Sequence, residues 1–157
     1  MASTWLDELG NGFISHVGDC RIYCWDLTDS TVVQVKALTR DQSYFELGES
    51  PPWGIDIHNP ARMVGSGSVG SALVQRHKLG PRSGLLMSSD GVHDVMGASD
   101  LACLVERELK GDCQPSHEVL ERISQTIVQE CLSRGSGDDI CVAVVWRREM
   151  TNQTERS

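Results

Sequence analysis

The sequence predicts an α+β chain: an antiparallel sheet with helices packed on it. Three observations predict it. The first forty residues hold period-two apolar segments broken by turn residues, the last third holds two amphipathic helical stretches, and an apolar run follows the second of them. The chain shows no internal repeat.

GFISHV (12–17) and RIYCWD (21–26) read as strands. Gly18-Asp19 between them reads as a tight hairpin turn, because glycine at the first turn position matches the twist of its strands. A second turn at Thr28, Asp29 and Ser30 leads into TVVQVKAL, which makes the front of the chain an antiparallel meander. Residues 41–83 are rich in Gly, Ser and Pro (ESPPWG, GSGSVG, LGPRSG) and predict loops and short pieces. GLLMSS (84–89) reads as a central strand, apolar on both faces over most of its length. SDLACLVEREL (99–109) predicts a helix capped by Ser99 or Asp100. Residues 116–133 predict the clearest helix. Ser116 caps it, Glu118 complements the positive end of its dipole, and Val119, Leu120, Ile123, Ile127, Val128 and Cys131 share one face. Arg134-Gly135 ends it. ICVAVVW (140–146) reads as a second central strand, and a polar tail, 149–157, comes after a domain of residues 1–148.

The carboxylates at the ends of those two central strands carry the chemistry. One strand is followed by Asp90; the other is preceded by Asp138 and Asp139. Paired antiparallel, they bring Asp90 beside Asp138 or Asp139, about 4.8 Å away across the ladder. Two carboxylates about 5 Å apart repel by about 3 kcal/mol at an effective dielectric near 20. Either one acid is protonated or a cation sits between them, and oxygen donors without His or Cys point to Mg2+ or Mn2+. Gly91, Ser136 and Gly137 are small enough to allow close approach of backbone and ion. The competing reading makes Asp90-Gly91 a turn and Asp138-Asp139 a helix-to-strand loop. Asp19 at the hairpin tip and Asp94, four residues past Asp90, are further candidates, each also an ordinary turn residue.

Composition narrows the partners. With 157 residues, 22 acidic and 14 basic side chains and a net charge of −8, the chain has no Lys/Arg cluster for nucleic acid or an anionic membrane. MASTWLDELG lacks the basic and apolar parts of an export signal, and no apolar run reaches a membrane span, so a cytoplasmic location is expected. The six cysteines form no C-x-x-C pair and are expected to be reduced thiols.

Read together, four segments resemble the motifs of the metal-dependent (type 2C, or PPM-type) protein serine/threonine phosphatases. HVGDCRIY is similar to their "VGDSR-x-Y", LTRDQS to "LT-x-DHS", LLMSSDGVHDVM to "LLxxSDGLWDV" and GSGDDICVAVV to "GSxDNITVIVV"; ASTW resembles the "GST" before the first of these. The resemblance implies two antiparallel sheets sandwiched between helix pairs. It also implies a metal-activated water that attacks phosphoserine or phosphothreonine in a phosphoprotein substrate. By motif, Asp90 and Asp138 correspond to ligands of a catalytic metal, Mg2+ or Mn2+. Asp19, Asp90 and Asp94 correspond to acids that hold an additional metal in some members. Cys20, Gln42, His93 and Asp139 depart from the motifs. The family's "DGHGG" segment, an earlier acidic ligand and a phosphate-binding arginine have no counterpart here; the only Asp-Gly is Asp90-Gly91. The resemblance therefore implies an incomplete domain with open strand edges and weak or no phosphatase activity. The alternative is a non-catalytic relative that binds a phosphoprotein or other partner through the same sheet.

Other signals point elsewhere. GSGSVG (65–70) spells G-x-G-x-x-G, with Asp90 twenty residues beyond Gly70. NPARMV before it makes a poor strand, and Gly80-Pro81 cuts short the segment SALVQRHK after it, so it reads as a loop. His16 reads as a packed or edge histidine and His77 as a solvated one; His93 stands close enough to the acids to matter, and equally reads as a packing residue.

Overall fold

The computed structural model describes residues 1–28, 32–65 and 72–148. The turn expected at 28–30, most of GSGSVG and the tail 149–157 lie outside the described residues. Two antiparallel sheets stack face to face. The smaller has three strands in the order β1 (Ala2–Leu6), β2 (Asn11–His16), β5 (Leu73–Lys78). The larger has four, in the order β4 (Val32–Ala37), β3 (Arg21–Thr28), β6 (Ser83–Ser88), β7 (Val142–Trp146). A short α1 (Tyr44–Leu47) and α2 (Asp90–His93) occupy connections, while α3 (Ala98–Leu109) and α4 (His117–Ser133) pack against each other and on the larger sheet. The predicted α+β sandwich flanked by helices is the observed class.

Alternation along β3 explains the layers. Tyr23, Trp25 and Leu27 point to the helices and meet Leu101, Leu104, Val105, Ile123, Ile127 and Cys131. Ile22 and Cys24 point the other way and meet Ile14 of β2, Leu79 and Leu85. Both faces of the central strands are therefore buried, as period two demands when layers lie on each side. One row across the larger sheet, Trp25–Gly84–Trp146, is built around a missing side chain. A Cβ on Gly84 would lie 2.3 Å from the Trp25 indole, so glycine lets that ring lie over β6 and reach Trp146, 4.7 Å away between centroids.

Four expectations need correction. Residues 12–17 and 21–26 do not form a hairpin: β2 pairs with β1 and β5, and β3 with β4 and β6. Ile14 and Ile22 meet across the core instead, because each buries its apolar face against the opposite sheet; Gly18, at φ +96°, turns the chain from one layer to the other. The segment SALVQRHK contains a strand, β5, and His77 within it is half-buried rather than solvated. The strand in 140–146 lies at the sheet edge, not the centre. Helix α3 is capped earlier than expected, at Gly97, with Asp100 reaching back to accept the Gly97 N–H at 2.9 Å. Ser116 does cap α4, accepting from the Val119 N–H at 3.4 Å, and Gly135 closes it in a left-handed conformation. All six cysteines are free thiols.

Candidate functional site

At one end of the sandwich the layer-switching turn, the β6–α2 junction and the α4–β7 loop converge on a cleft of about 560 Å³. Its lining includes Asp19, Asp90, Asp94 and Asp138, the four acids that the motif resemblance assigns to metal; Asp139, the other acid the strand pairing offered, does not line it.

The β6–β7 pairing sets two of them. The strands run antiparallel to Ser88↔Val142. Ser89 then carries the ladder further: its N–H donates to Cys141 O (3.0 Å), its hydroxyl donates to Asp139 O (2.8 Å), and the Cys141 N–H donates to that hydroxyl (2.9 Å). This fastens the Asp138–Asp139 backbone beside Asp90–Gly91. Gly91 is required there, since a Cβ would stand 2.8 Å from Asp139 O and 3.3 Å from Asp138 O. The Ser136 hydroxyl donates to Gly91 O at 2.7 Å and closes the junction. After Gly91 the chain makes one helical turn, with the Asp94 N–H donating to Asp90 O, which returns Asp94 to the cleft. Asp90 and Asp138 each accept the next backbone N–H, at 3.0 and 2.7 Å, through one carboxylate oxygen.

Asp19 is held by a different device. Gln42 clamps Gly18 through both its backbone N–H (2.9 Å to Gly18 O) and its side-chain oxygen, which accepts the Gly18 N–H at 3.0 Å. Arg21 donates to both oxygens of Asp41, at 2.8 and 2.6 Å, in a bidentate pair. The loop 39–43 is thereby bolted to the turn that carries Asp19. The departure Gln42 thus has a structural role. His93, the departure on α2, is buried with Nε2 3.7 Å from Asp41 Oδ2.

The cleft is strongly acidic. Seven carboxylates, those of Asp19, Asp41, Glu46, Asp56, Asp90, Asp94 and Asp138, face one guanidinium, Arg21, which Asp41 already engages. Burial pushes the Asp19 carboxyl above its ordinary range, and the charge of Asp90 adds to the shift. Burial also holds the His93 imidazole below its usual value, helped by Arg21 and opposed by Asp41, Asp94 and Asp90. Among the described residues, no three His, Cys, Asp or Glu side chains are gathered in an arrangement that holds an ion.

Sequence reasoning missed the far wall. Phe45, Asp56 and His58 line the cleft, and the Phe45 and His58 rings pack at a tilt with their centroids 5.2 Å apart. They come from the Gly/Pro-rich stretch, where no periodic pattern marks them. Asp41 lies within LTRDQS but gave no local sign of its partner, twenty residues away.

Two antiparallel sheets flanked by helices match, in part, the fold of PPM-type serine/threonine phosphatases. No protein-family model matches the sequence, and no curated protein matches it. Solved structures do. The PPM Ser-Thr phosphatase MsPP from Mycobacterium smegmatis, in complex with cacodylate, is 22% identical, with a TM-score of 0.63, over 92% of this chain and 60% of that one. The S. agalactiae serine/threonine phosphatase is 22% identical, with a TM-score of 0.66, over 89% of this chain and 55% of that one. A C. elegans sex determining protein is 17% identical, with a TM-score of 0.69, over 94% of this chain and 40% of that one. At these identities the likeness is one of fold, and the chain spans about half the length of the proteins it matches. Among the described residues no helix is long and apolar enough to cross a membrane.

Proposed function

We propose that residues 1–148 carry part of a metal-dependent phosphatase site for phosphoserine or phosphothreonine in proteins, with impaired turnover in this chain alone. One observation carries the reading: four acids from three separate stretches line one cleft. In this reading Asp90 and Asp138 would hold Mg2+ or Mn2+, and Asp19, Asp90 and Asp94 would hold a further ion. Hard carboxylate oxygens suit such ions, and a cation beside Asp19 would favour the ionised form of a carboxyl that burial, and to a lesser degree the charge of Asp90, pushes up. When bound, the ions lower the pKa of a water and neutralise phosphoryl oxygens. The chain's own residues orient the acids: Ser89 and Ser136 fix the Asp90–Asp138 junction, and Gln42 and Asp41 fix the Asp19 turn.

The second reading, a non-catalytic module that binds a phosphoprotein or other partner, is favoured by the lack of a gathered three-ligand group among the described residues. Thermal unfolding at increasing manganese separates the two. An ion at about a hundred times its Kd stabilises by about 2.7 kcal/mol. That raises Tm by about 5–11 °C for a chain of this size. Asp90→Asn should abolish the rise, while phosphopeptide turnover stays low. A flat manganese response decides for the second reading, and vigorous turnover contradicts the impairment.

A further inference from the structure

We propose that the far wall of the cleft selects phosphoserine or phosphothreonine substrates with an arginine or lysine close to the phosphorylated residue, by taking the basic side chain between the Phe45 ring and the Asp56 carboxylate. This selectivity rests on the phosphatase reading above and adds the flanking chemistry of the substrate to it. The wall is a built structure that closes on itself. Residues 42–45 are laced to residues 57–61: the Phe45 N–H donates to Ile57 O at 2.8 Å, the Tyr44 N–H to Asn59 O at 3.2 Å, and the Ala61 N–H to Gln42 O at 2.7 Å. Ser43 and Pro60 form a bridge in the same stretch, and Arg62 pairs with Glu49. The excursion belongs to neither sheet, so its exposure is not that of an open sheet face or edge. Phe45 is 57% exposed although its backbone is fixed, and its ring and that of His58 both line the cleft.

The charge balance chooses a basic occupant. Of the seven cleft carboxylates, the four assigned to ions, Asp19, Asp90, Asp94 and Asp138, are balanced by two divalent cations. Arg21 balances Asp41, and Arg40 balances Glu46, with Nη2 2.7 Å from Oε2. Asp56 is left over. Among the described residues no cation pairs with it, and its Oδ1 accepts the His58 N–H at 2.8 Å, which fixes the carboxylate beside the His58 and Phe45 rings. An uncompensated carboxylate next to an exposed aromatic face is complementary to a long basic side chain. The aliphatic stem covers the ring, and the cationic head is drawn both to the ring face and to the carboxylate. The same cleft receives the phosphate, so the basic residue stands near the phosphorylated one in sequence. Taken as a cube, a cleft of about 560 Å³ measures about 8 Å along an edge, which an extended peptide crosses in about three residues at about 3.3 Å each.

Fluorescence anisotropy tests this with labelled phosphoserine peptides that carry arginine, glutamine or leucine at the three positions on each side of the phosphoserine. Each is titrated with the full chain at saturating manganese and about 0.15 M salt, which screens the net charge of −8 beyond about 8 Å. The arginine peptide should bind about tenfold tighter than the glutamine peptide. Asp56→Asn keeps an oxygen for the His58 N–H and removes the charge, and should cut that preference to about twofold or less. Phe45→Leu, which removes the ring face, should also reduce it. Glu106→Gln removes one exposed charge outside the cleft and should leave the preference unchanged. Arginine and glutamine peptides that bind alike overturn the proposal. So does a leucine peptide that binds tightest, a preference that survives Asp56→Asn, or an arginine peptide that fails to bind at about 1 mM chain. The phosphatase reading is judged separately in the same titrations. An arginine preference that Asp56→Asn removes, in binding that ignores both EDTA and the replacement of phosphoserine by serine, upholds the selectivity of the wall and overturns the phosphatase reading.

Discussion

The Arg21–Asp41 pair is the strut between the Asp19 turn and the loop that faces it, and its strength derives from its setting. The two bonds, at 2.8 and 2.6 Å, are short and charge-assisted. Asp41 keeps 14% of its side-chain exposure and Arg21 keeps 32%, so the pair is neither a surface ion pair nor a sealed one. Exposed pairs contribute about 0–1 kcal/mol. Breaking a buried pair by removing one partner costs about 3–5 kcal/mol, because the other charge is left without compensation. Between these limits Asp41→Asn should cost about 2 kcal/mol, with a fall in Tm of about 4–8 °C. Part of the loss is offset, since the Asp41 charge also adds to the repulsion on Asp19.

A double-mutant cycle removes that offset from the comparison. Arg21→Met keeps the aliphatic stem and deletes the charge. Measured by urea denaturation with EDTA present, Arg21→Met, Asp41→Asn and the double variant should give a coupling energy of about 1.5 kcal/mol. A coupling below about 0.5 kcal/mol, the scatter expected of independent sites, would refute the assignment of this pair as the strut.

The core supplies two further outcomes. Gly84→Ala places a Cβ 2.3 Å from the Trp25 indole, which Trp146 blocks from moving away, so it should destabilise by about 3 kcal/mol, at the top of the range for overpacking; Trp25→Leu in the same chain should recover part of that loss, and a Gly84→Ala variant with the parent's urea midpoint would show the row to be slack. His16 is fully buried, and burial holds its imidazole below the usual 6.5, with the N-terminal ammonium adding to the shift. A lowered histidine pKa means that the unfolded chain binds more protons, so this contribution is whole above pH 6.5 and is lost as pH falls through the folded value. The Tm of His16→Leu should therefore decline less steeply than the parent's between about pH 7 and 5, and parallel profiles would assign the acid sensitivity to other groups.

What the sequence made legible depended on how far apart the interacting residues were and on which face they lay. Helix α4 announces itself because it buries one face whose period is written locally, and strand β6 because it is a short apolar run buried on both faces. The Asp90–Asp138 juxtaposition was legible because it needs only one antiparallel pairing, and Ser89 fixes that register. The Gly18-Asp19 turn misled for the opposite reason. Two period-two segments around a glycine look alike whether the strands pair edge to edge or stack face to face; Ile14 and Ile22 decide it by meeting across the core. Strand β5 was missed because neither of its faces is apolar. Leu73 and Val74 are exposed, while Gln75 and His77 turn inward, and the Gln75 amide donates to Leu38 O at 2.6 Å. A strand with no apolar face gives a period-two reading nothing to find: the outer face carries Val74, Arg76 and Lys78, and the inner one Leu73, Gln75 and His77.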